Sequence, residues 1–235
     1  MNNFNKDGLI ILYEDNHLLV VLKPQGVPAC EDSSKDKDML TVLKEYLKEK
    51  YSKTGNVFVG LVHRLDRPTG GVMVFAKTSK CASRLSESLK DGEFEKTYLA
   101  ILSGVPKNTS GRLTHYLKKN ALTNTVYTVG MAADDAKKAE LDYEIKEQKG
   151  NYCLAEIKLL TGRSHQIRVQ FAAIGAPVLA DAKYSETDGA GGNLALWAYK
   201  LVFPHPITKE RMVFIAEPPD ANPWKAFNIK NIVKI

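Results

Sequence analysis

The chain has 235 residues, 33 Lys and Arg against 27 Asp and Glu, a formal charge of +6 and 44% hydrophobic residues. A chain of that size and composition buries a substantial core, which excludes a disordered or fibrous protein. The longest apolar runs, residues 18–22 and 57–62, fall far short of the roughly 18–20 residues a helix needs to cross a bilayer, and Glu14 and Asp15 close the short run 9–13 too early for a signal peptide.

The expected compartment is therefore the cytoplasm. Cys30, Cys81 and Cys153 are odd in number and scattered without a CxxC pair, so they are expected as reduced thiols rather than as a disulfide or a zinc site. The positive balance suits a polyanionic partner, although many basic proteins bind none. Lys118-Lys119 and Arg163 with Arg168 are locally basic, whereas residues 31–38 mix both signs and read as a solvated loop.

In chain order, residues 9–13 and 17–22 flank the polar turn Glu14-Asp15-Asn16 and predict a hairpin. Lys23-Pro24-Gln25-Gly26-Val27-Pro28 then breaks the second strand twice and must leave the sheet as a loop. Leu40, Leu43 and Leu47 recur at helical spacing and predict a helix to about Tyr51. Residues 57–62 and 72–76 are β runs on either side of a polar loop, and Ser79 is placed to cap a helix running to about Lys90.

Residues 94–102 follow as a strand, 107–136 read as a loop, and 137–147 with 152–160 form a long hairpin around Lys149-Gly150-Asn151. A helix is expected from Thr161-Gly162, with Ile167, Phe171 and Ile174 on one face and Gly175 as its stop. Strands at 194–203 and 212–216 close the chain. Strands outnumber helices and no βαβ alternation persists. The expected fold class is α+β, a single catalytic domain on a mainly antiparallel sheet flanked by helices.

Three segments could carry chemistry. Residues 63–71 are the densest polar loop between two apolar strands, with Pro68 fixing φ and Gly70-Gly71 allowing a sharp turn that presents Asp66. The same spacing fits a plain turn whose Asp66 pairs with a nearby arginine. The absence of Gly-Lys-Ser/Thr argues against a phosphate loop. In the segment 160–168, Arg163 and a helix N-terminus would make an anion site, unless Arg163 simply lies on a solvated first turn. His63 and His165 show no HxH or HExxH pattern, so no metal site is expected. In the strand Glu95-Lys96-Thr97-Tyr98-Leu99-Ala100, alternation puts Lys96 and Tyr98 on one face, where a tyrosine can equally be core.

Taken together, His63-Arg64-Leu65-Asp66-Arg67-Pro68-Thr69-Gly70-Gly71, Lys96-Thr97-Tyr98-Leu99-Ala100 and Thr161-Gly162-Arg163-Ser164-His165-Gln166-Ile167-Arg168 resemble the signature blocks of the RluA-type RNA pseudouridine synthases, in order and in spacing. The early loop from Lys23 to Pro28, Gly175-Ala176-Pro177 through Asp181 and Tyr184, and Phe203-Pro204-His205-Pro206 match further blocks. Gly70 departs from a common serine or other small residue, and Trp197 from a frequent histidine.

The resemblance implies the pseudouridine synthase fold, with Asp66 as catalytic carboxylate, Arg163 as its salt-bridge partner and Tyr98 stacked on the target base. Arg64 would sit beside the vacated position in the RNA, with Lys96, His63 and Arg168 also on the substrate. It implies no cofactor and no metal. The partner would be ribosomal or transfer RNA, acted on by a monomer without an obligate protein partner or separate N-terminal RNA-binding domain. Site choice is expected to depend on residues 30–39 and 107–136.

Two other readings use the same residues. A non-catalytic RNA-binding module has no need of Asp66 in such a loop. A nucleoside or glycoside hydrolase needs a second carboxylate, for which Asp181 is the candidate.

Overall fold

A computed structural model describes residues 4–185 and 192–229. Its elements are β1 (Ile10–Glu14), β2 (Leu18–Lys23), α1 (Met39–Lys50), β3 (Gly60–Leu61), β4 (Gly70–Ala76), α2 (Ser79–Lys90), β5 (Glu95–Ser103) and β6 (Ser110–Asn120). They continue with β7 (Thr125–Val129), β8 (Lys137–Lys149), β9 (Tyr152–Leu159), α3 (Gln166–Ala173), β10 (Leu196–Pro204) and β11 (Arg211–Ile215). This is the expected α+β class. The chain divides into two compact units, one of residues up to Glu95 with Ala198–Ala216, the other of Lys96–Trp197 with the residues from Glu217 on.

In the first unit β1, β2 and β4 pair antiparallel in that order, with β3 also on β4 and β11 on β10. Nearly every residue of β2 and β4 is buried on both faces, which is why they read as continuous apolar runs rather than alternating ones. Leu18, Val20, Val72 and Val74 form a core with Cys81 and Leu85 of α2 and with Phe94 and Phe203.

Helix α1 starts at Asp38, whose carboxylate accepts the Thr41 N–H at 3.0 Å. Helix α2 is capped by Thr78, one residue before the expected Ser79. Glu14 anchors α1 to the hairpin by accepting from Tyr46, Lys50, Tyr51 and Lys77 at 2.7–2.8 Å. Burial pushes its carboxyl up, but these four donors outweigh it and hold the group down at about 2. Gly71 has φ +125°, and a Cβ there would stand 2.2 Å from the Ala198 carbonyl oxygen.

In the second unit the order is β5-β9-β8-β6-β7, every pair antiparallel. Residues 107–136, expected as a loop, instead hold strands β6 and β7, because a sheet edge exposed to water needs no apolar alternation. The β8–β9 hairpin closes between Lys149 and Tyr152, with Gly150 at φ +59° supplying the turn. Conversely, only Gly60 and Leu61 of the run 57–62 pair, both with the end of β4.

Helix α3 begins at Gln166, several residues after the expected start, with His165 left-handed at φ 52°. It ends as expected: the Ala176 N–H donates to the Phe171 carbonyl and the Gly175 N–H to that of Ala172, both at 3.0 Å, around a left-handed Gly175.

Among the described residues the thiols are free, Cys81 and Cys153 buried and Cys30 half-buried. Burial pushes the Cys81 and Cys153 thiols up to about 11. No described helix is long and apolar enough to cross a membrane.

Candidate active site

In the first unit the Asp66 loop is fastened to the early loop by a set of backbone-directed bonds. The Thr69 N–H donates to the Asp66 carbonyl at 2.9 Å and closes a four-residue turn with Pro68 inside it. The Gly26 N–H donates to the Arg67 carbonyl at 2.9 Å, Arg67 Nε returns a bond to the Gly26 carbonyl at 3.0 Å, and Gln25 Nε2 donates to the Pro68 carbonyl at 3.0 Å. Arg67 also pairs with Asp36 and lies 3.7 Å from Asp32. With Leu65 turned into the core, the neighbouring Asp66 is held half-buried at the turn, and Arg64 is exposed.

Beneath this turn lies Lys23, which is 0% exposed. Its Nζ donates to the Pro24 carbonyl at 2.9 Å and the Arg67 carbonyl at 3.1 Å. Burial drives its ammonium down to about 7, against the pull of the Asp66 charge, while Arg67 pushes the same way as burial. In the sequence Lys23 stands out only as the first residue of the early loop. The available signal was a lysine directly continuing a fully buried strand. His63 accepts the Val74 N–H on Nε2 at 3.2 Å and packs edge-on against Phe94, which places it against β4.

In the second unit Tyr98 is 7% exposed on β5, and burial lowers the pKa of its strand neighbour Lys96. Lys96 Nζ lies 3.4 Å from where a Cβ on Gly162 would stand, so the Lys96 side chain of β5 reaches the segment 161–165 at van der Waals distance. That segment is a turn rather than a helix start. Gln166 folds back, its Oε1 accepting from Thr161 Oγ1 at 2.8 Å and from the Arg163 N–H at 3.0 Å. The expected coincidence of Arg163 with free helix N–H groups is thereby lost.

The two arginines of this segment differ sharply. Arg163 is exposed and donates through Nε to the Lys138 carbonyl at 3.0 Å. Arg168 is 4% exposed, and its Nε and Nη2 grip Asp181 at 2.7 and 2.6 Å in a planar fork. Its guanidinium lies 5.1 Å over the Tyr184 ring, and Tyr184 in turn bonds His165 Nδ1 at 2.6 Å and accepts the Val126 N–H. Asp181 is itself 1% exposed and committed to Arg168 and the Lys183 N–H, which disfavours it as the second carboxylate of a hydrolase. Among the described residues no group of three His, Cys, Asp or Glu side chains is placed to hold a metal ion.

A family model described as RNA pseudouridylate synthase matches residues 17–173. The chain belongs to the RNA pseudouridine synthase family. It is 32% identical over 229 residues to the dual-specificity RNA pseudouridine synthase RluA of Escherichia coli, covering 92% of this chain and 97% of that protein.

It is also 31% identical over 199 residues to the ribosomal large subunit pseudouridine synthase D of Borreliella burgdorferi, covering 82% of this chain and 60% of that protein. These relatives make it an RluA-type member, and the family's enzymes are isomerases. The chain thus spans less than two thirds of some relatives and nearly all of others. Among solved structures, human RNA pseudouridylate synthase domain containing 4 superposes with a TM-score of 0.75 over 89% of this chain and 88% of that one at 24% identity, a likeness of fold.

Proposed function

We propose that the chain isomerises specific uridines of ribosomal or transfer RNA to pseudouridine through Asp66, as a cytoplasmic monomer whose two units make one catalytic domain. The reaction breaks N1–C1′, turns the base and joins C5 to C1′, and the C5 proton is lost as N1 gains one. There is no net redox change and no need of an energy source or cofactor. A carboxylate suits it because it can add to the sugar, or take a sugar proton, and leave again. The carrying observation is the Asp66 turn, a half-buried carboxylate whose following residues Arg67 and Pro68 are fastened through their carbonyls by Lys23, Gln25 and Gly26. A reacting group must be held to within a fraction of an ångström, and a fastened turn does this where a free loop cannot.

The target base must leave its stack at a cost of a few kcal/mol. Stacking on Tyr98 would offset this, and Arg64 and Lys96 would contact the RNA around it. We assign His63 to bracing the Asp66 loop through β4 rather than to the substrate. Of the two arginines, Arg168 suits the role of carboxylate partner better than Arg163. Charges attract strongly only away from water, and Arg168 is buried and braced by Asp181 whereas Arg163 is exposed.

Mapping pseudouridine in total cellular RNA with and without the protein tests the reading and names the substrate. Asp66→Asn should then form no pseudouridine while binding that RNA within a few-fold of wild type. Turnover close to wild type in the purified variant overturns the assignment.

A further inference from the structure

The second unit holds a cavity of about 360 Å³ beside β6, β7 and the turn at residues 161–165, lined by Lys118, Lys119, Lys137, Arg163, Ser164 and Asp135 among others. Four cationic residues and one carboxylate are among those that line it. Several long basic side chains elsewhere in this unit do find acidic partners: Arg112 with Asp142, Lys146 with Glu144, Lys149 with Glu147. Among the described residues Lys118, Lys119 and Lys137 have no such partner.

Register sharpens the point. Lys137 stands opposite Leu117, so Lys119, two residues on, points to the same face as Lys137. Like charges at such spacing on one face of a sheet repel and destabilise it unless something negative lies between them. Arg163 is pre-aimed by its Nε bond to the Lys138 carbonyl, which fixes the guanidinium plane and leaves its terminal nitrogens for a ligand.

We propose that this cavity is a seat for an RNA backbone phosphate and its ribose, flanking the uridine that reacts. The inference rests on the RNA-modifying function proposed above and adds to it a second, non-reacting contact point. Lys119 and Lys137 supply point charges on one face, Lys118 adds a further positive charge to the lining, Arg163 offers a planar fork and Ser164 a hydroxyl donor. Such a set recognises a phosphodiester and carries no information about the base. The seat would therefore fix register and grip rather than identity, and its energy would appear in KM.

The test uses the full chain with the RNA stem–loop around the mapped uridine, and a polyuridine strand as a second probe. Lys118→Ala with Lys119→Ala and Lys137→Ala should bind the stem–loop at least about tenfold more weakly, the scale of lost charge-assisted bonds. The log–log salt slope should flatten by about 0.7 for one phosphate released. KM should rise while kcat on saturating RNA stays within about twofold.

A charge-matched control, Lys44→Ala with Lys48→Ala and Lys53→Ala, should leave affinity and slope alone. Equal losses in the control would show diffuse attraction and overturn the seat, as would unchanged affinity and slope in the cavity variant. Inorganic phosphate that displaces RNA beyond the effect of chloride at equal ionic strength would make this a free-phosphate site and overturn the RNA source. Wild-type protein that forms no pseudouridine in any RNA, yet loses RNA affinity with the three lysines, would refute the enzymatic reading and leave the seat standing.

Discussion

The loop that carries Asp66 and the hairpin β6–β7 are both polar stretches among apolar strands, and they are built in opposite ways. In the first, backbone carbonyls are taken up by Lys23, Gln25, Gly26 and Arg67, and the lysine beneath has been stripped of water. In the second, many side chains stand in solvent, Leu122 is 97% exposed at the tip, and Lys118 and Lys119 make no ion pair with a carboxylate among the described residues. The contrast separates two tasks. Bond-making needs a group whose position is over-determined, whereas gripping a charged polymer needs charge that a mobile ligand can find.

The strongest way to break this contrast is Gly71→Ala, immediately after the Asp66 loop. The new Cβ would collide with the Ala198 carbonyl at a φ that alanine avoids. We expect a loss above about 4 kcal/mol and little folded protein, read by thermal unfolding of whatever is soluble. Next is the pair of arginines. Arg168→Ala leaves Asp181 buried and uncompensated and should cost about 3–5 kcal/mol along with most of the rate, while Arg163→Ala should stay within about 0.5 kcal/mol in stability. Denaturant melts of the two side by side decide it, and equal destabilisation would contradict the difference in burial.

Lys23→Met should cost about 1–3 kcal/mol, because the Pro24 and Arg67 carbonyls lose their donor while a buried charge is relieved. Its pH signature is more telling than its size. The unfolded chain keeps the Lys23 proton up to the ordinary value of 10.5 and the folded chain releases it at about 7. The unfolded state therefore binds more protons across that window, so this group makes wild-type stability rise with pH there. The methionine variant should lose that rise.

The smallest effect belongs to the open edge. Arg112 and Asp142 make a two-pronged pair at 2.7 and 2.9 Å, yet both are exposed. Arg112→Ala should cost no more than about 1 kcal/mol in the same melts.

The elements whose residues are buried on both faces, β2 and β4, were legible as unbroken apolar runs. So were the Gly175 stop and the Gly150 turn, where a local backbone conformation demands glycine. β6 and β7 were not, since their outward residues, Arg112, Thr114, Lys119 and Tyr127, follow the needs of solvent rather than a core. The start of α3 was misplaced because the Gln166 side chain, not the helix backbone, takes the Arg163 N–H. The difference in burial between Arg163 and Arg168 was equally hidden. Both stand in one motif, and only the tertiary partner Asp181 tells them apart. Lys23 belongs to the same class: its depressed ammonium is a product of burial under a loop more than forty residues away in sequence.

The three cysteines have a practical consequence. Cys81 lies in the core of the first unit and Cys153 in a strand of the second, where its Sγ contacts the Gly104 carbonyl at 3.1 Å. Both thiols are shielded and hard to ionise, so an alkylating reagent reaches either one only when its own surroundings open. Half-buried Cys30 would label without that step and serve as an internal clock. Peptide mass analysis of a timed alkylation should thus report the opening of each unit separately, in the unaltered chain and with no engineered reporter.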